Sequence, residues 1–411
     1  MLLSATAAAD KPLKRVVRKL PPRLVAAVAK SSLHTCRELL ALGEHELVDR
    51  LDLYIPEVRS IVLTVSKAVA KPRTALALLS PPPSSASQYE AAANAANAAA
   101  ASCSSSSPSS SIVPTGLEAL DAHLGGGLPT RTLTELVGPA GVGKTQCCLT
   151  MAARALVSGS ARSARVLYVD TEGSFSASRL LELIREQLQV QLVYHGSGGG
   201  LAREAAASSA AAEAERLLTR VTVMRPESWS QYTACIHEQL EEELLRPPAV
   251  ALVVVDSIAS AVREHFERGG GGGGGLSEIA RRQQYVGAQA ARLKYYADTH
   301  ATCVLCVNQV VTGGGNPYGA ADVGDVGAVQ GRDDGALLAY MGVAWSHYVN
   351  VRLVLQYPRF TPQLPPPPPP GVIGATPPRQ MVIRVAKAPH AACEDAEFEY
   401  LVTASRGLMA A

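Results

Sequence analysis

The chain has 411 residues, 47% hydrophobic but only 5% aromatic, with a formal net charge of +2. That length allows two or three domains around an aliphatic core. The near-neutral charge excludes a global field drawing the protein to nucleic acid or membrane, so any polyanion contact has to be local. Eight cysteines are scattered without a disulfide framework, which fits a reducing compartment. No apolar run approaches the length of a membrane span.

Between Lys11 and Arg37 lie Lys14, Arg15, Arg18, Lys19, Arg23 and Lys30, and no acid. An Arg-rich, acid-poor start reads either as an organelle transit peptide or as the basic side of a small helical domain. Three helical patterns follow, over 33–42, 44–51 and 56–69, with Pro56 placed as a first-turn residue. They favour a helical domain over residues 1–75, whose basic side would suit duplex backbone or a partner. Composition then changes abruptly. Ser80-Pro81-Pro82-Pro83 opens a Ser/Ala/Pro-rich tract that runs to Ser111. It buries too little apolar surface to order itself, so 76–111 is read as a disordered linker.

From 112 to the end strands and helices alternate. Strands are predicted over 132–137, 165–170, 221–224, 249–256 and 302–308, with helices over 146–157, 177–192, 230–245 and 276–298. Late strands follow over 351–357, 380–386 and 397–403. The pattern predicts an α/β fold, a mostly parallel sheet with helices on both faces. Three low-complexity inserts interrupt it: 196–215 (Gly- then Ala-rich), 269–275 (all glycine) and 361–378, with a proline run from Pro365. Each falls between elements and reads as a flexible surface loop. The proline run also fits a docking site for a PPII-binding domain, the linker reading being preferred.

Gly138-Pro139-Ala140-Gly141-Val142-Gly143-Lys144-Thr145 fits the phosphate-loop pattern at every fixed position, between a predicted strand and a helix opening at Gln146. Glycines let backbone N–H groups approach anionic oxygens. The helix N-terminus adds its unpaired donors and positive dipole end. Lys144 supplies a point charge toward the β- and γ-phosphates, and Thr145 a hydroxyl to Mg²⁺. The apolar strand ending at Asp256 carries the second signature of such sites, a carboxylate that holds Mg²⁺. Glu172, at the end of the 165–170 strand, reads either as a general base or as a solvated residue of a turn capped by Ser174 or Ser176. Gln309 reads either as a sensor of the γ-phosphate or as a satisfied strand-end amide. Cys303 and Cys306 form a C-x-x-C, but residues three apart on a strand face opposite sides, so structural roles are favoured over metal or redox. Cys147 and Cys148 read as core.

Four runs, 138–145, 167–175, 254–260 and 307–310, together resemble the RecA-type recombinase family, and within it the eukaryotic paralogues of the strand-exchange recombinase. The B type is echoed by 345–353, by Lys387-Ala388-Pro389 and by 12–16. The resemblance implies a RecA-like P-loop ATPase core behind a small all-helical domain, with ATP and Mg²⁺ bound between adjacent protomers. It implies that residues 138–146 and Lys144 hold phosphate, Thr145 and Asp256 serve Mg²⁺, Glu172 activates water, and Gln309 couples the nucleotide to a second DNA loop. Arg179 matches an arginine that stacks on adenine, and His347 a histidine that reads the γ-phosphate of the neighbouring protomer. Implied partners are other paralogues in a hetero-oligomer, the main recombinase, and single-stranded and branched DNA, with no membrane. The implied location is the nucleus, an organelle being the alternative carried by the basic N-terminus.

Two departures bear on activity. The second DNA loop, 312–336, has Asp322, Asp325, Asp333 and Asp334 against Arg332 alone, which opposes phosphate neutralisation. The first, 263–275, offers Arg263, His265, Phe266 and Arg268 against Glu264 and Glu267. In the linker, Tyr89-Glu90-Ala91-Ala92 stands where filament-forming relatives carry a Phe-x-x-Ala docking peptide. The expectation is therefore a weakly hydrolysing, DNA-dependent ATPase in a paralogue complex for homologous-recombination repair of double-strand breaks. The alternatives are a non-catalytic ATP-bound scaffold and an organellar recombinase.

Overall fold

The computed structural model describes residues 11–69, 72–79, 112–157, 165–195, 200–268, 276–311, 328–329, 337–339, 341–358, 379–393, 396–403 and 407–410. The linker from 80 to 111 with Tyr89, the inserts 269–275 and 361–378, and Asp322, Asp325, Arg332, Asp333 and Asp334 lie outside the described residues.

The N-terminal residues form a helical bundle: α1 (Leu13–Val16), a 3-10 turn over Val17–Lys19, α2 (Pro22–Lys30), α3 (Cys36–Ala41), α4 (Glu44–Leu51) and α5 (Ile55–Val69). Prolines at 12, 21 and 22 keep the first helices short, and Pro22 opens α2 where no N–H is needed. The helix expected from 33 begins at Cys36 because Thr35 caps it. Its hydroxyl accepts the Glu38 N–H at 3.2 Å while the Glu38 carboxylate accepts the Thr35 N–H. Leu13, Val28, Leu39, Leu47, Val58, Ile61 and Val65 form an aliphatic core. Lys14, Arg15, Arg18 and Lys19 stay exposed. Next come β1 (Arg73–Thr74) and α6 (Ala75–Leu79), at the junction of the predicted helical domain and linker.

The larger part opens with β2 (Ile112–Val113), α7 (Glu118–His123) and β3 (Leu128–Pro129). Then follow β4 (Thr132–Gly138), α8 (Lys144–Val157), β5 (Arg165–Asp170), α9 (Ala177–His195), α10 (Gly200–Leu218) and β6 (Val221–Met224). Helix α11 (Trp229–Ala234) passes through a π turn, Cys235–Gln239, into α12 (Leu240–Leu244). The chain continues with β7 (Val250–Asp256), α13 (Ile258–Arg268), α14 (Leu276–His300), β8 (Cys303–Val311), β9 (Ala328–Val329), β10 (Leu337–Ala339) and α15 (Gly342–Tyr348). It ends with β11 (Val351–Gln356), β12 (Arg379–Lys387), β13 (Glu397–Thr403) and β14 (Gly407–Ala410).

The main sheet runs β1-β6-β5-β7-β8-β4-β11-β12-β13-β14. Its centre, from β6 to β11, is parallel, and β1 and β12–β14 add antiparallel edges. Alternate residues feed two cores: Val166 and Tyr168 of β5 pack on one face, Leu167 and Val169 on the other. The register puts Asp170 beside Asp256 and Gly138 beside Gln309. Four carboxyl ends thus share one rim, where open α/β sheets hold ligands.

Two expectations are corrected. The insert 196–215 is not a loop over its whole length: Gly200–Leu218 is helical, since alanine is the best helix former, and Ala210, Ala214 and Leu217 bury against the core. The segment expected to form the first DNA loop is not a loop from Arg263, because α13 runs on to Arg268. Within the stretch expected to form the second loop, β9 pairs with β10, which pairs with β8 and lengthens the sheet there.

Candidate functional site

The loop between β4 and α8 is shaped by its glycines. At Gly138 a Cβ would come within 2.7 Å of the Leu355 carbonyl oxygen, so no side chain fits. Gly143 has φ +97, the left-handed region that other residues rarely adopt. Two tyrosines from the β11–β13 side tie the loop down: Tyr357 donates to the Ala140 carbonyl at 3.1 Å and Tyr400 to the Val142 carbonyl at 3.3 Å. The N-terminus of α8 then points its unpaired N–H groups into the loop.

Lys144 opens α8, and its Nζ donates to the carbonyls of Gly138 and Pro139 at 2.9 and 2.7 Å. Burial pushes its pKa down, against the attraction of Glu172 and Asp256. The Thr145 hydroxyl donates to Asp256 Oδ2 at 2.8 Å. Tyr168 donates to the same oxygen at 2.8 Å and Ser174 at 3.4 Å. Burial raises the Asp256 carboxyl above its usual range, opposed by the Tyr168 and Thr145 bonds and reinforced by Glu172 and Asp170. The hydroxyl and carboxylate are hard oxygen donors that suit Mg²⁺. Among the described residues no cluster of three or more His, Cys, Asp or Glu could hold an ion.

Glu172 is exposed to solvent yet held: its Oε1 accepts from Ser257 Oγ at 2.6 Å and from Gln309 Nε2 at 2.9 Å. The turn around it is organised by other groups. Asp170 accepts the N–H of Ser174 and of Phe175, and Ser176 Oγ accepts the N–H of Arg179 at the start of α9. Gln309 Oε1 accepts from the guanidinium of Arg263 on α13. Arg179 donates to Gln146 at 3.1 Å, to Glu182 at 2.9 Å and to the Thr403 carbonyl at 2.9 Å. His347 stands exposed on α15, and no hydrogen bond among the described residues joins it to the loop.

Lys144, Thr145, Asp256, Glu172 and Gln309 are thereby brought together, with Gln146 and Arg179 beside them. Sequence reasoning missed Tyr168, Ser257, Tyr357 and Tyr400, and gave Arg263 to a DNA loop rather than to Gln309. Tyr168 carried one signal, a polar-tipped aromatic inside an aliphatic strand two residues before Asp170. Cys303 and Cys306 are buried in opposite cores, and burial pushes the Cys303 thiol up to about 12. Cys147, also buried, is pushed up to about 12 as well.

Residues 13–69 match the family described as XRCC3/RpoA-like, helix-hairpin-helix domain, and 109–194 match the family described as Rad51. The chain is 31% identical over 363 residues to the Mus musculus DNA repair protein RAD51 homolog 2, covering 85% of this chain and 89% of that one. It is 30% identical over 364 residues to its Homo sapiens counterpart, covering 85% and 81%. It is 28% identical over 396 residues to the Bos taurus DNA repair protein XRCC3, covering 95% and 96%. A phosphate loop on a mostly parallel sheet, a helical N-terminal module and these likenesses agree: the chain belongs to the Rad51 family, as a RecA-type recombinase paralogue.

Proposed function

We propose that the protein binds ATP with Mg²⁺ and hydrolyses it weakly, stimulated by DNA, within a hetero-oligomer of recombinase paralogues that assists homologous-recombination repair. The observation that carries this reading is the meeting of Lys144, the Thr145–Asp256 pair, Glu172 and Gln309 on one rim of the sheet. Lys144 leaves its two loop carbonyls for the phosphates, and the loop N–H groups bind them. Thr145 and Asp256 would hold Mg²⁺, which would supply charge neutralisation for the phosphates. Glu172, open to solvent, accepts a proton from the attacking water, and Gln309 and Ser257 hold its carboxylate in place. Arg179, beside Gln146, would hold the adenine, and His347 would sense the nucleotide of a neighbouring chain. The repair proteins named among the relatives favour a nuclear location, which microscopy of a fluorescent fusion tests against an organelle. Single-stranded and branched DNA are the expected nucleic-acid partners, with the main recombinase as the protein assisted.

The test is ATP turnover with and without single-stranded DNA in the wild type and in Glu172→Gln. Loss of a general base costs about 10²–10⁴-fold in rate. Equal turnover in both proteins would favour the scaffold reading, in which ATP only cements a subunit interface.

A further inference from the structure

Glu135 lies on β4, three residues before the phosphate loop, and is fully buried. A buried carboxylate is costly unless its oxygens are matched by donors. Here they are matched from three elements. Asn308 Nδ2 of β8 donates to Oε1 at 2.6 Å, Trp345 Nε1 of α15 donates to the same oxygen at 2.8 Å, and Arg352 Nε of β11 donates to Oε2 at 2.5 Å. The Arg352 guanidinium also reaches Ser346 Oγ at 2.7 Å, and Lys387 Nζ donates to the Ser346 carbonyl at 3.0 Å.

The polarity of this network has a consequence at the catalytic rim. Because its NH₂ group must face Glu135, the Asn308 amide turns its oxygen toward the next residue, where it accepts the Gln309 N–H at 2.8 Å. Gln309 in turn donates to Glu172. One carboxylate under the sheet therefore sets the orientation of the strand end that holds Glu172. The same carboxylate anchors α15, the helix that carries exposed His347.

Resting on the reading of the site as an ATPase, we propose that Glu135 is a positioning residue for hydrolysis: through Asn308 it aims Gln309, and through Trp345 and Arg352 it locks that aim to α15. It is fully buried, away from solvent. A glutamine at position 135 offers one donor face where every neighbour also donates. Asn308 then turns over, and the Gln309 N–H loses its acceptor. The loop, Lys144 and the Thr145–Asp256 pair are left as they are.

The test uses the full chain together with whatever chains co-purify with it, and reads ATP binding by a fluorescent analogue and turnover at saturation separately. Glu135→Gln is expected to lower kcat by about tenfold or more while the Kd for ATP changes by less than about twofold, since only an alignment is lost. The double variant Glu135→Gln with Asn308→Asp moves the charge one strand over. The introduced amide on β4 then donates to the introduced carboxylate on β8. That carboxylate still accepts the Gln309 N–H, so turnover returns toward the wild type. A kcat for Glu135→Gln equal to that of the wild type overturns the inference and leaves the ATPase reading standing. So does a fall in kcat matched by an equal loss of binding, or a folded double variant without recovery. A wild type that binds ATP but shows no turnover overturns the hydrolytic reading and this inference with it.

Discussion

At the residue scale, Thr145 of α8 and Tyr168 of β5 reach the same oxygen of Asp256, both at 2.8 Å. A cation bound there would meet a carboxylate already fixed, which would lower the ordering cost of binding. Tyr357 does the same for the loop. Its hydroxyl bonds to Ala140, and the same hydroxyl oxygen lies 3.4 Å from where a Cβ on Gly141 would sit. Tyr357→Phe removes that single bond and leaves the ring. A net hydrogen bond of about 1 kcal/mol predicts about a fivefold rise in the Kd for ATP, read by fluorescence titration; an unchanged Kd would show the tie to be idle. The residues proposed to hold phosphate and Mg²⁺ were legible in the sequence because a loop that cradles an anion fixes their spacing by backbone geometry. The groups that hold them were not. Tyr357 is separated from Ala140 by more than two hundred residues, and only the pairing of β11 with β4 brings them together.

At the scale of elements, the central strands were legible to within a few residues because both faces are buried, so each is a short run of aliphatic side chains bounded by polar ones. Helix α10 was not legible, because an alanine tract has no apolar stripe to set it apart from low-complexity loop. Tertiary packing decides the matter: Ala214 and Leu217 are buried where α10 covers the core. Ala214→Glu places an unpaired charge there and is expected to cost about 3 kcal/mol or more, lowering the Tm by about 6 °C or more. A melt within a degree of the wild type would mean that α10 is not part of the cooperative core. The first helices escaped for another reason, since closely spaced prolines and lysines break the apolar period without abolishing the helix.

Across the whole molecule, the helical bundle docks on the core through α5 and α3 against α11, with Lys67 paired to Glu242. The same region holds Trp229 stacked on His265, ring centroids 4.0 Å apart, with Phe266 and Tyr285 alongside. His265 and His237 both have pKa values pushed below the ordinary range, first by burial. Arg281 adds to the shift at His265, Arg292 and Arg59 add to it at His237, and Glu44 of the bundle opposes it at both. A histidine of lowered folded pKa takes up its proton first in the unfolded chain. Stability is therefore full at pH well above about 6.5 and falls as the pH drops below that value. Melting at pH 7.5 and 5.5 should show this loss, made smaller by His265→Phe, which keeps the ring stack; a loss of the same size in the variant would exclude His265 as a source. The central claim concerns the rim where β4, β5, β7 and β8 end, and equilibrium binding of a fluorescent ATP analogue to wild type and Lys144→Ala, with and without Mg²⁺, tests it most directly. The account predicts Mg²⁺-dependent binding in the wild type and a Kd raised by about 10–100-fold in Lys144→Ala, the loss of charge-assisted bonds to phosphate. Equal affinity in the two proteins would contradict it.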